Sequence, residues 1–449
     1  MTGRSVLLAL LCMGVLACND DVSQFVFEAR ILDGDGGNPA AGTDATTLRI
    51  GIAEGELAVR EFEYPIEDGQ FDATLEFASF SSVTRIRIDM EGPTTALFTA
   101  PPAFVPSASS GFLRVVAAAP SSCEPVTFNA MEAPRADFGF VQSGTFALAV
   151  GGTSTSDEQV EFFDALEWDS RLFLEDLSLS PLGPTRAATI GEGEILVLPT
   201  GAAPFIFNML DASQRITLPN LYVGAGPQSA LVSIRGVGAM VIGGEAGGAA
   251  LADARLVQPG GVIRSFELSE PRSGASAAAL GEDVLVVGGD ATGTAEILLS
   301  GNPQGQPVAG VMDGVRAGGI LVSDGESQAL WLGGTDAGDA LRQDTLRFDD
   351  CPASCAASAG PTWTRARLRV TVPEYTAMLV GGEGSRDVEE VQWNSGAVAI
   401  ERVLDLDVAR AGAGAIVYES GAFVVTGGDD GSAVRDDFEF CTPAALQPL

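Results

Sequence analysis

Short apolar runs that end in Gly-Gly recur through the second two-thirds of the chain. They are ALAVGG (147–152), AMVIGG (239–244), VLVVGG (284–289), ALWLGG (329–334), AMLVGG (377–382) and FVVTGG (423–428). The last five follow one another at 45–48 residues, and ILVLPTG (195–201) fills the double-length gap after the first. Short apolar segments between turn residues at this period predict seven copies of a four-stranded unit, as in β-propeller blades.

An arginine followed by small residues is a second marker, which precedes most Gly-Gly pairs by 12 to 17 positions. The clear examples are Arg135, Arg186, Arg272, Arg316 and Arg410. Gln228 takes this place in the third copy, and Arg369 takes it less clearly in the sixth. Two markers in the same phase indicate one repeat rather than unrelated apolar runs.

The combined pattern resembles the kelch repeat: Arg-small, an apolar strand, a second apolar strand ending in Gly-Gly, then an acidic loop. Pro361-Thr362-Trp363-Thr364 matches the tryptophan element of that family in one copy, whereas the second copy lacks the glycines. The resemblance implies an all-β fold with a divergent seven-bladed kelch-like β-propeller over residues 123–441.

The last copy provides only three strands, near 412–418, 422–426 and 434–440, before a Pro-containing tail at 442–449. CEPVTFN (123–129) contains a strand with no copy of its own, so residues 125–129 are expected to be the outer strand of blade 7. This placement brings Cys123 and Cys441 to the ends of adjacent strands and predicts a disulfide between them. Cys351 and Cys355 would then pair locally; free thiols or other pairings are the alternative.

The N-terminus predicts export. Val6 to Leu16 is an apolar run of 11 residues, too short to span a bilayer but suited to a signal peptide. Val15-Leu16-Ala17-Cys18 resembles the lipobox of bacterial lipoproteins, which implies cleavage of residues 1–17, acylation of Cys18 and a short tether at 18–24. Asn19 favours the outer membrane of a Gram-negative bacterium. The alternative is an ordinary signal peptide; no later apolar run reaches 18 residues, so lipid is the expected anchor.

Residues 25–120 lack the Gly-Gly period and predict a separate β domain. The expected strands are FVFEARI (25–31), TLRIGIA (47–53), LAVREFEY (57–64), QFDATLEF (70–77), VTRIRIDM (83–90), ALFTA (96–100) and FLRVVAAA (112–119). Seven short strands, several with clean alternation, predict an immunoglobulin-like or transthyretin-like sandwich.

The amino-acid composition excludes several classes of catalytic and binding site. The formal net charge is −35, and all 25 basic residues are arginine because the chain has neither His nor Lys. This excludes imidazole ligands and bases, Ser-His-Asp systems and lysine Schiff bases. Nucleic-acid binding is not expected, since it needs clustered positive charge.

The loop after each Gly-Gly pair is acidic, and in a blade it lies on the same face as the loop between blades. This predicts a candidate binding face with a ring of carboxylates beside the arginines. Its members are Asp157, Glu245, Asp290, Asp336, Glu383, Asp429, Asp430, Arg135, Arg186, Arg272, Arg316 and Arg410. These charges either pair with each other and with water, or bind a cation or a basic or polyhydroxylated partner. No cofactor or metal is expected. Ca²⁺ is a weak possibility, for which Asp33-Gly34-Asp35-Gly36-Gly37 resembles half a loop but also suits a plain turn.

Three classes of function remain. The first, which we expect, is a non-enzymatic, monomeric envelope lipoprotein whose propeller binds a protein or glycan, with no catalytic residues. The second is an Arg/Glu-based carbohydrate-active enzyme. Galactose oxidase is a kelch propeller, but its copper site needs His, and Ser323-Asp324-Gly325 with Trp331 only approaches a sialidase box. The third is a structural part of the envelope.

Overall fold

The computed structural model describes most of the chain from residue 28 onwards. The described residues are 28–32, 43–54, 60–67, 83–93, 96–99, 112–143, 146–153, 160–164, 169–172, 182–191, 193–200, 202–209, 215–219, 221, 228–290, 292–310, 316–394, 397–418 and 421–442. The signal segment 1–17, Cys18 and its tether, the 33–37 motif, the expected strand at 70–77, Asp157 and residues 443–449 lie outside them. Within the described part, no helix is long and apolar enough to cross a membrane.

Six strands near the N-terminus are hydrogen-bonded into one sheet. They are β1 (Glu28–Leu32), β2 (Thr47–Glu54), β3 (Arg60–Pro65), β4 (Val83–Glu91), β5 (Ala96–Thr99) and β6 (Phe112–Ala118). The order is β1-β6-β5-β4-β2-β3, with β1 and β6 parallel. Two separate layers are not seen among these strands, because β6 pairs with both β1 and β5. The sandwich stays a prediction, since one expected strand lies outside the described residues.

Short strands then follow one another to the end of the described chain. The first group is β7 (Ser122–Ala130), β8 (Gly139–Ser143), β9 (Phe146–Val150), β10 (Val160–Asp164), β11 (Asp169–Leu172), β12 (Thr185–Gly191), β13 (Glu194–Pro199), β14 (Phe205–Asn208), β15 (Arg215–Thr217), β16 (Ala230–Ile234), β17 (Gly238–Ile242), β18 (Glu245–Ala246), β19 (Ala249–Gln258) and β20 (Val262–Arg272). The second is β21 (Ser276–Leu280), β22 (Asp283–Val287), β23 (Ala295–Leu298), β24 (Gln306–Pro307), β25 (Ala309–Gly310), β26 (Arg316–Ala317), β27 (Ile320–Ser323), β28 (Ala329–Leu332), β29 (Thr335–Asp336), β30 (Leu346–Asp349), β31 (Ala356–Ala359), β32 (Met378–Val380), β33 (Asp387–Asn394), β34 (Ala397–Asp405), β35 (Gly414–Val417), β36 (Phe423–Thr426) and β37 (Asp437–Thr442). A single 3₁₀ turn at Pro259–Gly261 joins β19 to β20.

Each copy of the repeat forms its own sheet. Four sheets have four strands, in the orders β11-β10-β9-β8, β12-β13-β14-β15, β21-β22-β23-β24 and β35-β36-β37-β7. The third copy adds β20 to β16-β17-β19-β18, the fifth forms β25-β31-β30-β28-β27 beside β26-β29, and the sixth has three strands, β32-β33-β34. In the sixth copy the expected first strand is reduced to one bridge between Thr371 and Val380, and Pro373 follows. Proline lacks the N–H that a longer first strand would need.

The apolar runs before Gly-Gly are the second strands of these sheets, and they are buried on both faces. In β13, Ile195 and Val197 pack towards the first sheet, whereas Leu196 and Leu198 pack towards the third. Burial on both faces explains why these strands read as continuous apolar runs rather than alternating ones. Comparable clusters join the other neighbouring copies, and one joins the seventh copy to the first, where the rings of Phe163 and Phe438 stack at 4.7 Å.

The strand that precedes the first copy completes the sheet of the last one. β7 pairs antiparallel with β37, with Cys123 opposite Cys441. The two cysteines form a disulfide with a Cα–Cα distance of 4.0 Å, and a second disulfide joins Cys351 to Cys355. These are the strand pairing and the disulfide pairings expected from the sequence.

Backbone conformation explains the Gly-Gly pair. Gly243 and Gly244 both have positive φ, 62° and 111°, which side chains disfavour. A Cβ on Gly243 would lie 2.4 Å from the carbonyl oxygen of Arg272 in the next copy, and the Gly244 N–H donates to that oxygen at 2.8 Å. The pair therefore turns the chain and brings it against the arginine marker of its neighbour.

Candidate functional site

The arginine markers are internal, which corrects the expectation of an arginine ring on a surface. Arg135, Arg272, Arg316 and Arg410 have at most 1% of their side-chain surface exposed. Each guanidinium donates to the carbonyl of the first glycine in its own copy, at 3.2, 2.7, 3.3 and 2.7 Å respectively. The positive-φ turn leaves that carbonyl inside the copy, where it needs a buried donor.

A carboxylate near the third strand completes each cluster. Arg135 pairs with Glu161 at 3.1 Å, Arg272 with Glu296 at 2.7 Å, and Arg410 with Glu439 at 2.7 Å. Arg316 pairs instead with Asp344, just before β30. We call this arrangement of arginine, glycine carbonyl and carboxylate the Arg–Gly–Glu cluster. The arginine and the carboxylate of each cluster bind each other inside the copy. The cluster therefore supports the fold, and its arginine is not available to a partner.

The three glutamates also hold the chain that enters each copy. Glu161, Glu296 and Glu439 accept the backbone N–H of Glu132, Ser269 and Asp407, each at 2.7 Å. Each of these donors lies three residues before the arginine of its cluster. The sequence contained the signal for this, since a glutamate recurs seven to eleven residues after the second glycine of Gly-Gly in these copies, but its role follows only from the contacts.

In the sixth copy the cluster uses Arg367 rather than the expected Arg369. Arg367 is 5% exposed, pairs with Glu389 at 2.6 Å and donates to the Gly381 carbonyl. Arg369 instead lies at the surface, where it pairs with Asp137 of the first copy at 2.8 Å and faces Asp429 of the seventh at 3.6 Å.

The second and third copies lack the cluster, as their degenerate markers suggest. Arg186 has no Gly-Gly carbonyl to bind, because Pro199-Thr200 replaces the pair, and it donates to the Ser229 carbonyl of the third copy at 2.7 Å. Its side chain keeps solvent-accessible surface, yet the surrounding protein lowers its pKa by desolvation. In the third copy the Ser229 hydroxyl donates to the Gly243 carbonyl at 3.0 Å, in place of an arginine.

The loop carboxylates mostly bind their own loops. Asp336 accepts the N–H groups of Gly338 and Ala340 at 2.9 and 3.0 Å, which lowers its pKa. Asp429 and Asp430 accept amides of residues 431–433 in the same way, and the pKa of Asp430 is strongly lowered by hydrogen bonds from Ser432 and Ala433. These carboxylates therefore do not form the free ring that the sequence predicts.

The remaining loop carboxylates differ in exposure. Asp290 is only 5% exposed and lies 3.3 Å from Arg272. Burial would raise its pKa, but hydrogen bonds from Thr292 and Thr294 outweigh that effect and lower it. Glu245 and Glu383 are exposed at the surface. Only these last two fit the expected solvated face.

Calcium is expected to leave the protein's thermal stability unchanged. The loop oxygens that Ca²⁺ would need already accept backbone hydrogen bonds, whereas a site of submillimolar affinity would raise the melting temperature by mass action. The measurement is a thermal melt in millimolar CaCl₂ against MgCl₂ at the same ionic strength. A calcium-specific rise of several degrees would instead show that the folded protein binds calcium.

One further group of metal-type ligands is occupied by other bonds. Cys123, Glu439 and Cys441 bring ligand atoms within 4.8 Å of one another. The two sulfurs are bonded to each other and Glu439 pairs with Arg410, so we assign no metal to this group.

The sequence did not predict a cavity that lies among the strands with which the copies of the repeat begin. Strands β8, β12, β16, β21 and β27 contact one another in chain order, and β35 contacts β8. Between them lies a cavity of about 710 Å³, which we call the central cavity; it is lined by β12, β16, β21, β27 and residues 372–376. A second cavity of about 200 Å³ shares residues 372–374 with it. The 372–376 segment thus lies between the two.

Glu374 is the central polar group of this segment. It accepts the Thr189 N–H at 3.0 Å, the Thr189 hydroxyl at 2.8 Å and the Ser233 hydroxyl. Desolvation raises the pKa of Glu374, although these hydrogen bonds act in the opposite direction. Tyr375 contacts the Thr189 hydroxyl at 3.1 Å, and desolvation raises its pKa as well. A sixth-copy segment is therefore bonded to strands of the second and third copies.

The local signal for this site was weak. Pro373 in TVPEYT interrupts the first strand of the sixth copy, where other copies have an apolar run and a Gly-containing turn. The contact partners of Glu374 lie 185 and 141 residues away in sequence, so no motif spacing could reveal them.

Comparisons with known proteins add little. No protein-family model and no curated protein match the chain. A solved structure entitled "Structure of YjhT" aligns with 71% of this chain and 99% of its own chain, with 10% identity and a TM-score of 0.43. Both values are too low for this similarity to bear on the fold or the function.

Proposed function

We propose that residues 123–441 form a seven-bladed kelch-like propeller. The support is a hydrogen bond that recurs between neighbouring copies, from the second glycine of one to the arginine carbonyl of the next. It joins Gly244 to Arg272 at 2.8 Å and Gly382 to Arg410 at 2.7 Å. The same bond joins Gly428 of the seventh copy to Arg135 of the first at 2.8 Å, as a ring would require.

The propeller acts, in this proposal, as a non-enzymatic binding module of a cell-envelope lipoprotein. Cys18 is its lipid anchor, the outer membrane is its location, and its partner is a protein or glycan. The observation that carries the binding role is the central cavity, because it is open space of ligand size with the Glu374 carboxylate in its wall. The Arg–Gly–Glu clusters, by contrast, are satisfied internally.

Filling the central cavity is expected to abolish partner binding. Ala277 of β21 lines the cavity, and the Ala277→Phe side chain would occupy it. The lipidated full-length chain is tested on a glycan array and by cross-linking in solubilised envelopes. Its best ligand should bind the wild type at least about tenfold more tightly than the variant. Ser265→Phe on the exposed part of β20 is the control of equal bulk.

Three results would contradict this proposal. The wild type enriches nothing beyond an unrelated lipoprotein, Ala277→Phe binds as well as the wild type, or the recovered ligand is chemically altered. The last result would favour the Arg/Glu-based enzyme instead.

A further inference from the structure

Glu374 differs from the buried glutamates of the Arg–Gly–Glu clusters, because it is only half-buried and lines the central cavity. Glu161, Glu296, Glu389 and Glu439 each pair with a buried arginine. Glu374 has no arginine partner within the described part of the chain, and its three donors are neutral groups. Withdrawing a carboxylate from water without a compensating cation costs free energy, and such groups concentrate at functional sites.

The carboxylate still has capacity for a ligand. An ionised carboxyl group offers about four acceptor positions, and Thr189 and Ser233 use three of them. About half of the surrounding wall is apolar, with Leu231, Ala277 and Val372 among the cavity residues. A ligand that placed one donor against Glu374 would bury the rest of its body on this wall.

The charges around the cavity favour a cationic ligand. Besides Glu374, its lining includes Glu282, Asp324 and Glu326, against the single cation of Arg235. The Arg235 guanidinium lies 4.7 Å from the centre of the Tyr375 ring, and it does not pair with Glu374. The side chains that line the cavity therefore carry a net negative charge, and one of them, the Glu374 carboxylate, can pair with a cation.

We propose that the central cavity binds an organic cation, with a primary ammonium group on Glu374 and an apolar body against the first strands. This inference rests on the proposed binding function and specifies the ligand class of the same cavity. The ammonium donates the remaining hydrogen bond to Glu374 and supplies the positive charge that the other enclosed glutamates obtain from arginine.

The experiment compares probes of one shape and different charge. Calorimetry with n-butylammonium, 1-butanol and butyrate is done on the wild type, Glu374→Gln and Glu401→Gln. A charge-assisted hydrogen bond should make butylammonium bind at least about tenfold more tightly than butanol to the wild type, with butyrate weakest. Glu374→Gln should remove this preference, whereas Glu401→Gln, an exposed change on β34 outside the cavity lining, should alter it less than about threefold.

If the wild type bound butylammonium and butanol with equal affinity, that result alone would overturn the proposal. An undiminished preference in Glu374→Gln would also overturn it. Loss of the preference equally in Glu401→Gln would show a general effect of the protein's negative charge rather than a contact with Glu374. The outcome is separate from that of the cavity-filling test, since Ala277→Phe can still abolish partner binding when the cation preference fails.

Discussion

Arg272→Ala is expected to lower the free energy of unfolding by about 3–5 kcal/mol, because it breaks a fully buried ion pair from one side. Arg272 and Glu296 are both 0% exposed and 2.7 Å apart. Removal of the guanidinium would leave the Glu296 carboxylate with a buried charge and the Gly288 carbonyl without its donor at 2.7 Å. The measurement is urea unfolding at neutral pH, followed by tryptophan fluorescence and circular dichroism.

The control removes an arginine at the surface. Arg386 is 54% exposed and 4.0 Å from Asp405, so Arg386→Ala should cost no more than about 1 kcal/mol. In the double variant Arg272→Met with Glu296→Leu, part of the loss should be recovered, because the Glu296 charge is removed together with its partner and only Asp290 loses an arginine. If Arg272→Ala and Arg386→Ala had equal effects, the Arg–Gly–Glu cluster would not be a major stabilising element.

Loss of the Cys123–Cys441 disulfide is the second large effect we expect. The bond spans 318 residues, and the loop-entropy relation assigns it on the order of 5 kcal/mol. The Cys123→Ala, Cys441→Ala double variant should therefore unfold at a much lower urea concentration than the wild type. The variant also removes the link between β7 and β37, the two strands that join the ends of the repeat region.

The other disulfide provides the matched control, since the Cys351→Ala, Cys355→Ala double variant removes the same number of sulfurs from the same chain. Cys351 and Cys355 are separated by only 4 residues, for which the same relation gives about 2 kcal/mol. A smaller effect for the 123–441 pair than for the 351–355 pair would argue against ring closure through β7. Peptide mapping without reductant verifies the pairings in each variant.

Much of the repeat was predictable, because its residues act locally. The apolar runs before Gly-Gly are second strands, since burial on both faces requires continuous apolar sequence. The strand after Cys123 could be assigned to the last sheet because one copy had a strand too few and the preceding segment had one too many. In both cases the sequence pattern directly reflects a physical requirement: burial on both faces in the first case, and a complete four-stranded sheet in the second.

The direction of the arginine side chains was not predictable in the same way. Spacing places Arg410 near a Gly-Gly pair, but only the inward carbonyl of Gly427 draws its guanidinium into the interior. Spacing also favoured Arg369 over Arg367, two residues apart, although the latter reaches Glu389. Glu374 was missed because its partners are distant in sequence and belong to other copies.

The pairing of β7 with β37 has a consequence for synthesis. β7 emerges from the ribosome more than 300 residues before its partner strand, a delay of tens of seconds at ordinary translation rates of about 5–20 residues per second. During that time β7 is an exposed strand that other chains could join. Pro125 lies within β7 and offers no N–H for such pairing. The segment therefore lacks one backbone donor during the time before residues 437–442 are made.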